Sequence, residues 1–191
     1  MISLDEPRIF EQYDLEDMLG HLHRLPELCR QAWQMAAGFD LPSDYGEVDK
    51  IVVSGMGGSA ISGSLAASLI LSESQVPVFV HRDYGLPAFV DGKTLVIASS
   101  YSGMTEETLS SFEMALKLDS KKLVMTTGGR LKALAEENNV PVFGFDYKSP
   151  PRAALPFSFL PILCFMGKLG FIADRSAEVG EMAKVLENLA A

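Results

Sequence analysis

The chain has 191 residues, 48% of them hydrophobic, and its 16 Lys and Arg against 25 Asp and Glu give a net charge of −9. This balance is typical of a globular domain, and it argues against a nucleic-acid partner because no basic stripe is present to neutralise a phosphate backbone. No membrane association is expected, because the most apolar stretch, 157–173, contains Pro161 and Lys168 and is too short to span a bilayer.

Apolar residues at helical spacing run from residue 15 to residue 39, and Pro26 interrupts the pattern because proline cannot continue a helix from inside it. We predict two short helices there, within an N-terminal helical extension of residues 1–45. The first residues, MISLDEPRIF, are acidic where a signal peptide would be basic, so the sequence predicts a cytoplasmic protein.

Residues 46–172 alternate short β-branched runs with helical patterns. The predicted strands are 51–54, 76–81, 94–99, 122–126 and 140–143, and the predicted helices between them are 59–71, 105–118 and 129–138. This alternation, with near-continuous apolar strands, predicts an α/β fold in which helices cover both faces of a parallel sheet. Ligands of such sheets bind at the carboxyl ends of the strands.

An apolar helix is predicted from about Pro151 to Lys168. Residues 176–189 form a predicted amphipathic helix that nothing later in the chain covers. We therefore expect the chain to self-associate, most simply as a symmetric homodimer, in order to bury its terminal helices. The two cysteines, Cys29 and Cys164, are expected to be buried small hydrophobic residues rather than disulfide partners or metal ligands.

A glycine-rich loop, SGMGGSA (54–60), follows the first predicted strand. Glycines let the backbone approach a ligand closely, and the next helix presents its unpaired N–H groups to an anion. Two alternatives remain open for this loop. It resembles a dinucleotide-binding fingerprint with Asp83 as a ribose partner, and it could also be a turn that only packs strand against helix.

A second loop, SSYSGMT (99–105), follows the third strand. Three serines and a threonine beside a helix start suit a phosphate dianion held without lysine, although Ser102 or Thr105 could merely cap the helix. Glu106 and Glu107 open that helix and would repel an anion, so they must either point away or take part in the chemistry. After the last strand, Pro150 and Pro151 stiffen the loop that carries Arg152, a candidate oxyanion ligand or a plain surface arginine.

Four segments together resemble the sugar isomerase (SIS) domain family, and specifically the first half of the bifunctional phosphoglucose/phosphomannose isomerases. They are SGMGGSAISG (54–63), SSYSGMTEETL (99–109), TTGGRL (126–131) and PPRAAL (150–155). The resemblance implies a flavodoxin-like sandwich with five parallel strands, a hexose 6-phosphate substrate and no cofactor. Met104 departs from the family pattern, in which asparagine is expected.

Position by position, the resemblance implies that Gly57, Gly58 and Ser59 contact the substrate, and that the phosphate is held by Ser100, Ser102 and Thr105. Arg152 would stabilise a cis-enediolate during aldose–ketose isomerisation. The catalytic glutamate, histidine and lysine of the family belong to a second SIS domain, towards which residues 173–191 would lead. We therefore expect this chain to be incomplete for catalysis.

Three alternatives to this reading stay open. The chain could be a non-catalytic module that senses a sugar phosphate, or a nicotinamide-dependent oxidoreductase that uses the first loop and Asp83. A single-domain heptose-phosphate isomerase is disfavoured by PPRAAL. Neither His21 nor His23 lies where the family's catalytic histidine is expected, and His81 is expected to be a hydrogen-bonded residue at a strand end.

Overall fold

A computed structural model describes residues 12–190, so the acidic start of the chain lies outside the described residues. Five parallel strands form one sheet in the order β2-β1-β3-β4-β5. They are β1 Lys50–Ser54, β2 Val78–His81, β3 Thr94–Ser99, β4 Lys121–Thr126 and β5 Val142–Gly144. The predicted five-stranded parallel, flavodoxin-like sheet is confirmed.

In the part of the chain that the structure describes, seven helices surround the sheet. They are α1 Met18–His23, α2 Leu25–Ala37, α3 Gly57–Ile70, α4 Glu106–Ala115, α5 Gly129–Glu137, α6 Leu155–Lys168 and α7 Ser176–Ala190. Short 3-10 turns occupy Ser43–Glu47 and Pro151–Ala154. The predicted break near Pro26 is confirmed, because α1 ends at His23 and Pro26 lies in the first turn of α2, where its missing N–H costs no helical hydrogen bond.

Alternation along the strands divides the core between two layers of helices. On one face, Ile51, Val53, Leu95 and Ile97 pack with apolar residues of α2, α3, α6 and α7. On the other face, Ala98 of β3 and Val124 of β4 pack with apolar residues of α4 and α5. The strand order reverses between β1 and β3, and α3 and α4 lie on opposite faces of the sheet. In open α/β sheets such a switch point is where ligands bind.

Two predicted strands start later than expected, and proline is the reason. The structure begins β2 at Val78 and β5 at Val142, immediately after Pro77 and Pro141. Each proline accepts a ladder hydrogen bond through its carbonyl oxygen, from Ile51 in one case and Val124 in the other. Neither can donate one, so regular pairing begins at the next residue.

The expectation that the apolar face of the C-terminal helix is uncovered is wrong. Val179 and Ala183 of α7 are buried, and the helix packs against α2 from the other end of the chain. Polar contacts accompany the packing, since Trp33 Nε1 donates to Ser176 Oγ at 3.2 Å and Arg30 contacts Glu187 at 2.6 Å. The chain therefore covers most of this face itself, and Leu189 near the end of the helix stays exposed.

Both cysteines are buried and unpaired, as predicted. Burial raises the pKa of the Cys29 and Cys164 thiols to about 11, so neither is a nucleophile at neutral pH. Across the described part of the chain, no helix is both long and apolar enough to cross a membrane. No cluster of three or more His, Cys, Asp or Glu side chains within residues 12–190 could hold a metal ion.

Candidate functional site

The two sequence-predicted loops meet at the carboxyl edge of the sheet. Strands β1 and β3 are direct neighbours, with Ser54 in register with Ala98. Their loops touch immediately beyond the strands, because a methyl group on Gly55 would lie only 2.8 Å from the carbonyl oxygen of Ser99. The structure therefore places the glycine loop and the hydroxyl loop side by side.

The glycine loop turns directly into α3. The helix begins at Gly57, two residues before the predicted start, and Gly57 has φ +50°, a left-handed conformation that favours glycine. No side chain caps the helix, and the N–H groups of Ser59 and Ala60 return to the carbonyl oxygen of Met56. The amides of Gly57 and Gly58 thus stand at the positive end of α3, where an anion is favoured.

The hydroxyl loop carries a buried pair of side chains. Ser100, only 3% exposed, places its Oγ 2.8 Å from Thr105 Oγ1 and accepts the N–H of Gly103 at 3.1 Å. Thr105 is the N-cap residue of α4, yet its hydroxyl makes no capping hydrogen bond to that helix. Ser102 is exposed and accepts the N–H of Met104 at 3.2 Å. Helix capping therefore does not explain why a hydroxyl residue stands at position 105. The first N–H groups of α4 have no side-chain partner among the described residues.

The loop after β4 supports the hydroxyl loop from behind. Thr127 donates both its N–H and its hydroxyl to the carbonyl oxygen of Tyr101, at 3.1 and 2.7 Å. A methyl group on Gly103, which has φ +64°, would lie 1.8 Å from the carbonyl oxygen of Gly128. Sequence reasoning noticed TTGGRL only as part of the family resemblance and assigned it no role. A glycine-containing polar loop at the end of a buried strand is a sign of a ligand-side loop, and Thr-Thr-Gly-Gly begins at the last residue of β4.

The turn that carries Arg152 adjoins the glycine loop. A methyl group on Gly58 would lie 3.7 Å from the carbonyl oxygen of Pro151. The Arg152 side chain itself is 66% exposed, and its Nη2 lies 3.2 Å from Glu16 Oε2. The backbone of this turn therefore lies beside the site, while the guanidinium is paired with a carboxylate of the N-terminal region.

The acidic residues of the α4 N-terminus are partly directed elsewhere. Glu106 accepts a hydrogen bond from the Tyr84 hydroxyl at 3.1 Å, and this bond helps to raise the pKa of Tyr84. Asp83, the candidate ribose ligand of the dinucleotide alternative, accepts the N–H of Tyr84 at 2.8 Å. His81 ends β2 as expected, and its carbonyl oxygen accepts the N–H of Gly55 at 3.2 Å, whereas its buried Nε2 has no partner within residues 12–190.

Comparison with known proteins agrees with this architecture. A scan against protein-family models finds no match. The bifunctional phosphoglucose/phosphomannose isomerase of Caldicellulosiruptor bescii is 43% identical over 172 residues, which are 90% of this chain and 51% of that protein. The chain thus spans about half the length of this relative.

Two solved structures share the fold. Tagatose-6-phosphate ketose/aldose isomerase from Escherichia coli has a TM-score of 0.65 at 14% identity, covering 89% of this chain and 52% of its own. The Vibrio vulnificus NanR protein, complexed with ManNAc-6P, has a TM-score of 0.56 at 19% identity, and the match covers 95% of this chain and 72% of the NanR chain.

The sheet order and the two loops at its switch point define an α/β sandwich of the phosphosugar isomerase type. The chain has the fold of the sugar isomerase (SIS) domain, and the relatives that it resembles in sequence include several bifunctional phosphoglucose/phosphomannose isomerases.

Proposed function

We propose that this chain is the hexose-6-phosphate-binding half of an isomerase that interconverts glucose 6-phosphate or mannose 6-phosphate with fructose 6-phosphate. The observation that carries the proposal is the paired Ser100 and Thr105 hydroxyls beside the uncapped first turn of α4. Neutral hydroxyls and amides at a helix N-terminus suit a small phosphate dianion on a chain whose net charge is −9. Hexose 6-phosphate substrates fit the cytoplasmic protein that the sequence predicts.

In this proposal the phosphate is held by Ser100, Ser102, Thr105 and the α4 amides, and the sugar lies towards Gly57, Gly58 and Ser59. Arg152 leaves Glu16 and stabilises negative charge on the cis-enediolate formed as a proton moves between C1 and C2. Exposed ion pairs such as Arg152–Glu16 contribute little stability, so a substrate oxyanion can replace Glu16.

Isomerisation also needs a carboxylate base and a group that opens the sugar ring. Glu106 bonds to Tyr84 instead of standing free beside the hydroxyl pair. We propose that both groups come from a second SIS domain, since the chain spans about half the length of its curated relative. A non-catalytic sugar-phosphate sensor is the alternative, in line with the fold that NanR shares. A second SIS domain with a glutamate and a histidine, encoded directly downstream, would favour the isomerase.

Titration of the purified chain with glucose 6-phosphate tests the site. We expect Ser102→Ala to weaken binding by about 10-fold, because a hydrogen bond to a charged group is worth roughly 1.5–3 kcal/mol when it is made. Ser68→Ala, an exposed serine further along α3, is the matched control and should bind like the wild type. Binding of a nicotinamide dinucleotide in place of the sugar phosphate would support the oxidoreductase alternative instead.

We also propose a homodimer, but through α3 rather than through the terminal helices. Ile61, Leu65 and Leu69 follow one another at four-residue spacing on α3 and are 52%, 39% and 60% exposed. The helix carries no charged residue, and Leu69 also lines an apolar groove of about 410 Å³ between α3, α6 and α7. An uncharged, exposed apolar stripe of this kind is typical of a protein interface, and a two-fold axis would pair it with itself.

Light scattering after gel filtration tests the dimer. We expect a dimer at micromolar concentration, and we expect Leu65→Glu to raise its dissociation constant at least 10-fold, because two carboxylates would be buried near the two-fold axis. Val185→Glu on α7, an equally drastic change at an exposed apolar residue, should leave the dimer intact. A wild-type monomer at these concentrations would contradict the proposed dimer.

A further inference from the structure

Tyr101 connects the hydroxyl loop to the loop that carries Arg152. Its hydroxyl accepts the N–H of Ser149 at 3.0 Å and lies 2.8 Å from the carbonyl oxygen of Tyr147 and 3.0 Å from that of Ser149. A phenol has one proton to donate, so it donates to one of these carbonyls while it accepts from the amide. One side-chain atom thus holds both ends of a three-residue segment.

The backbone of Tyr101 is fixed as firmly as its hydroxyl. Its carbonyl oxygen receives two hydrogen bonds from Thr127, and its neighbour Ser100 belongs to the buried hydroxyl pair. The ring packs near Phe145, with centroids 6.3 Å apart. The position of the hydroxyl is therefore determined by the same loop that carries the candidate phosphate ligands.

The segment that Tyr101 holds leads directly to Arg152. Ser149 is followed by Pro150 and Pro151, whose rings restrict φ, and then by the 3-10 turn that contains Arg152. With Ser149 anchored and two prolines next to it, the turn has little freedom to move relative to the hydroxyl loop.

We propose that Tyr101 is a positioning residue that sets the distance between the phosphate-binding hydroxyls and Arg152. This inference rests on the proposed function. A hexose 6-phosphate has its phosphate at one end and its reacting carbons at the other, so both ends bind together only when the two loops are correctly spaced. Tyr101 itself does not touch the substrate in this proposal, and it acts through the Arg152 turn.

The proposal predicts that loss of the Tyr101 hydroxyl changes the affinities for two ligands of the same site to different extents. Inorganic phosphate needs only the hydroxyl loop, whereas glucose 6-phosphate needs both loops. We expect Tyr101→Phe, which keeps the ring and removes the hydroxyl, to weaken glucose 6-phosphate binding about 10-fold while changing inorganic phosphate binding less than about twofold. Both affinities are measured by calorimetry, after the melting temperature has shown that the variant is folded.

Tyr147→Phe is the matched control. It makes the same chemical change in the same segment and removes the contact to His21, but it leaves the Tyr147 carbonyl that Tyr101 contacts. We expect the ratio of the two affinities in Tyr147→Phe to equal that of the wild type. In an Arg152→Ala background, Tyr101→Phe should cause no further loss of glucose 6-phosphate binding, because the residue it positions is already absent.

Three results would overturn the inference. Tyr101→Phe could weaken both ligands equally, it could weaken neither, or its effect could persist in full without Arg152. A wild-type chain that binds inorganic phosphate but shows no preference for a hexose phosphate would refute the proposed function, and this inference would fall with it. The wild-type titration therefore separates failure of the function from failure of the role given to Tyr101.

Discussion

Gly103→Ala is expected to destabilise the fold by roughly 2–5 kcal/mol, because left-handed backbone costs about 1–2 kcal/mol for alanine and overpacking adds about 1–3 kcal/mol. Gly103 has φ +64°, and its new methyl group would lie 1.8 Å from the carbonyl oxygen of Gly128. The neighbouring atom is backbone, so no side-chain rotation relieves the clash. The hydroxyl loop and the loop after β4 must therefore separate.

The same change should abolish hexose phosphate binding. Gly103 accepts the N–H of Leu131 through its carbonyl oxygen and donates its own N–H to Ser100 Oγ, so a displaced Gly103 disturbs both loops. Urea unfolding gives the stability, and calorimetry with glucose 6-phosphate gives the affinity. Both are measured on the same preparation, and circular dichroism shows whether the variant retains the native fold.

Gly180→Ala is the control for Gly103→Ala. Gly180 lies inside α7, and a methyl group there would meet nothing within 4 Å. Alanine is the better helix former by about 1 kcal/mol, so this variant should be slightly more stable than the wild type. If both glycine variants unfolded at the wild-type urea concentration, the close contact between Gly103 and Gly128 would be refuted.

Ser100→Ala is expected to weaken glucose 6-phosphate binding by about 10- to 100-fold, since a hydrogen bond to a charged group is worth roughly 1.5–3 kcal/mol. The effect should exceed that of Ser102→Ala for a structural reason. Ser100 Oγ lies 2.8 Å from Thr105 Oγ1, and without it the threonine hydroxyl is free to cap α4 and to compete with the ligand for the helix amides. One substitution thus removes the Ser100 hydroxyl and also disturbs the Thr105 hydroxyl, both of which hold the phosphate in this proposal.

The stability cost of Ser100→Ala should be small, about 1 kcal/mol, because Gly103 N–H keeps a second acceptor in the carbonyl oxygen of Ser100 at 3.2 Å. Ser111→Ala is the control. Ser111 is also buried and donates its hydroxyl to the carbonyl oxygen of Glu107 within α4, so its loss should leave binding unchanged. Wild-type affinity in Ser100→Ala would show that the hydroxyl pair does not hold the ligand.

The strands were predictable because their signal is local. β1 and β3 are near-continuous runs of buried β-branched and aliphatic residues, and the sequence shows them without any knowledge of their neighbours. The errors at β2 and β5 involve Pro77 and Pro141, whose effect depends on which hydrogen bonds the adjacent strand requires. That requirement is a property of the sheet and not of the segment.

The candidate site was predictable as two loops, but the details of its contacts were not. The hydroxyls of the second loop are visible in the sequence, whereas the pairing of Ser100 with Thr105 depends on how the chain bends at Gly103. The partner of Arg152 was equally hidden, because Glu16 lies 136 residues away in the chain. No local pattern indicates a role for Tyr101, because its hydroxyl lies in the loop after β3 and contacts the segment after β5.

The sequence by itself determined the class of fold, the position of the two candidate loops at the strand ends and the burial of both cysteines, because each depends on periodicity or composition within a short window. Only the tertiary structure decided what covers α7, which hydroxyls pair, and how the Arg152 turn is held. Those features arise where segments far apart in the chain meet, and the free energy of such contacts depends on distances that no local pattern records.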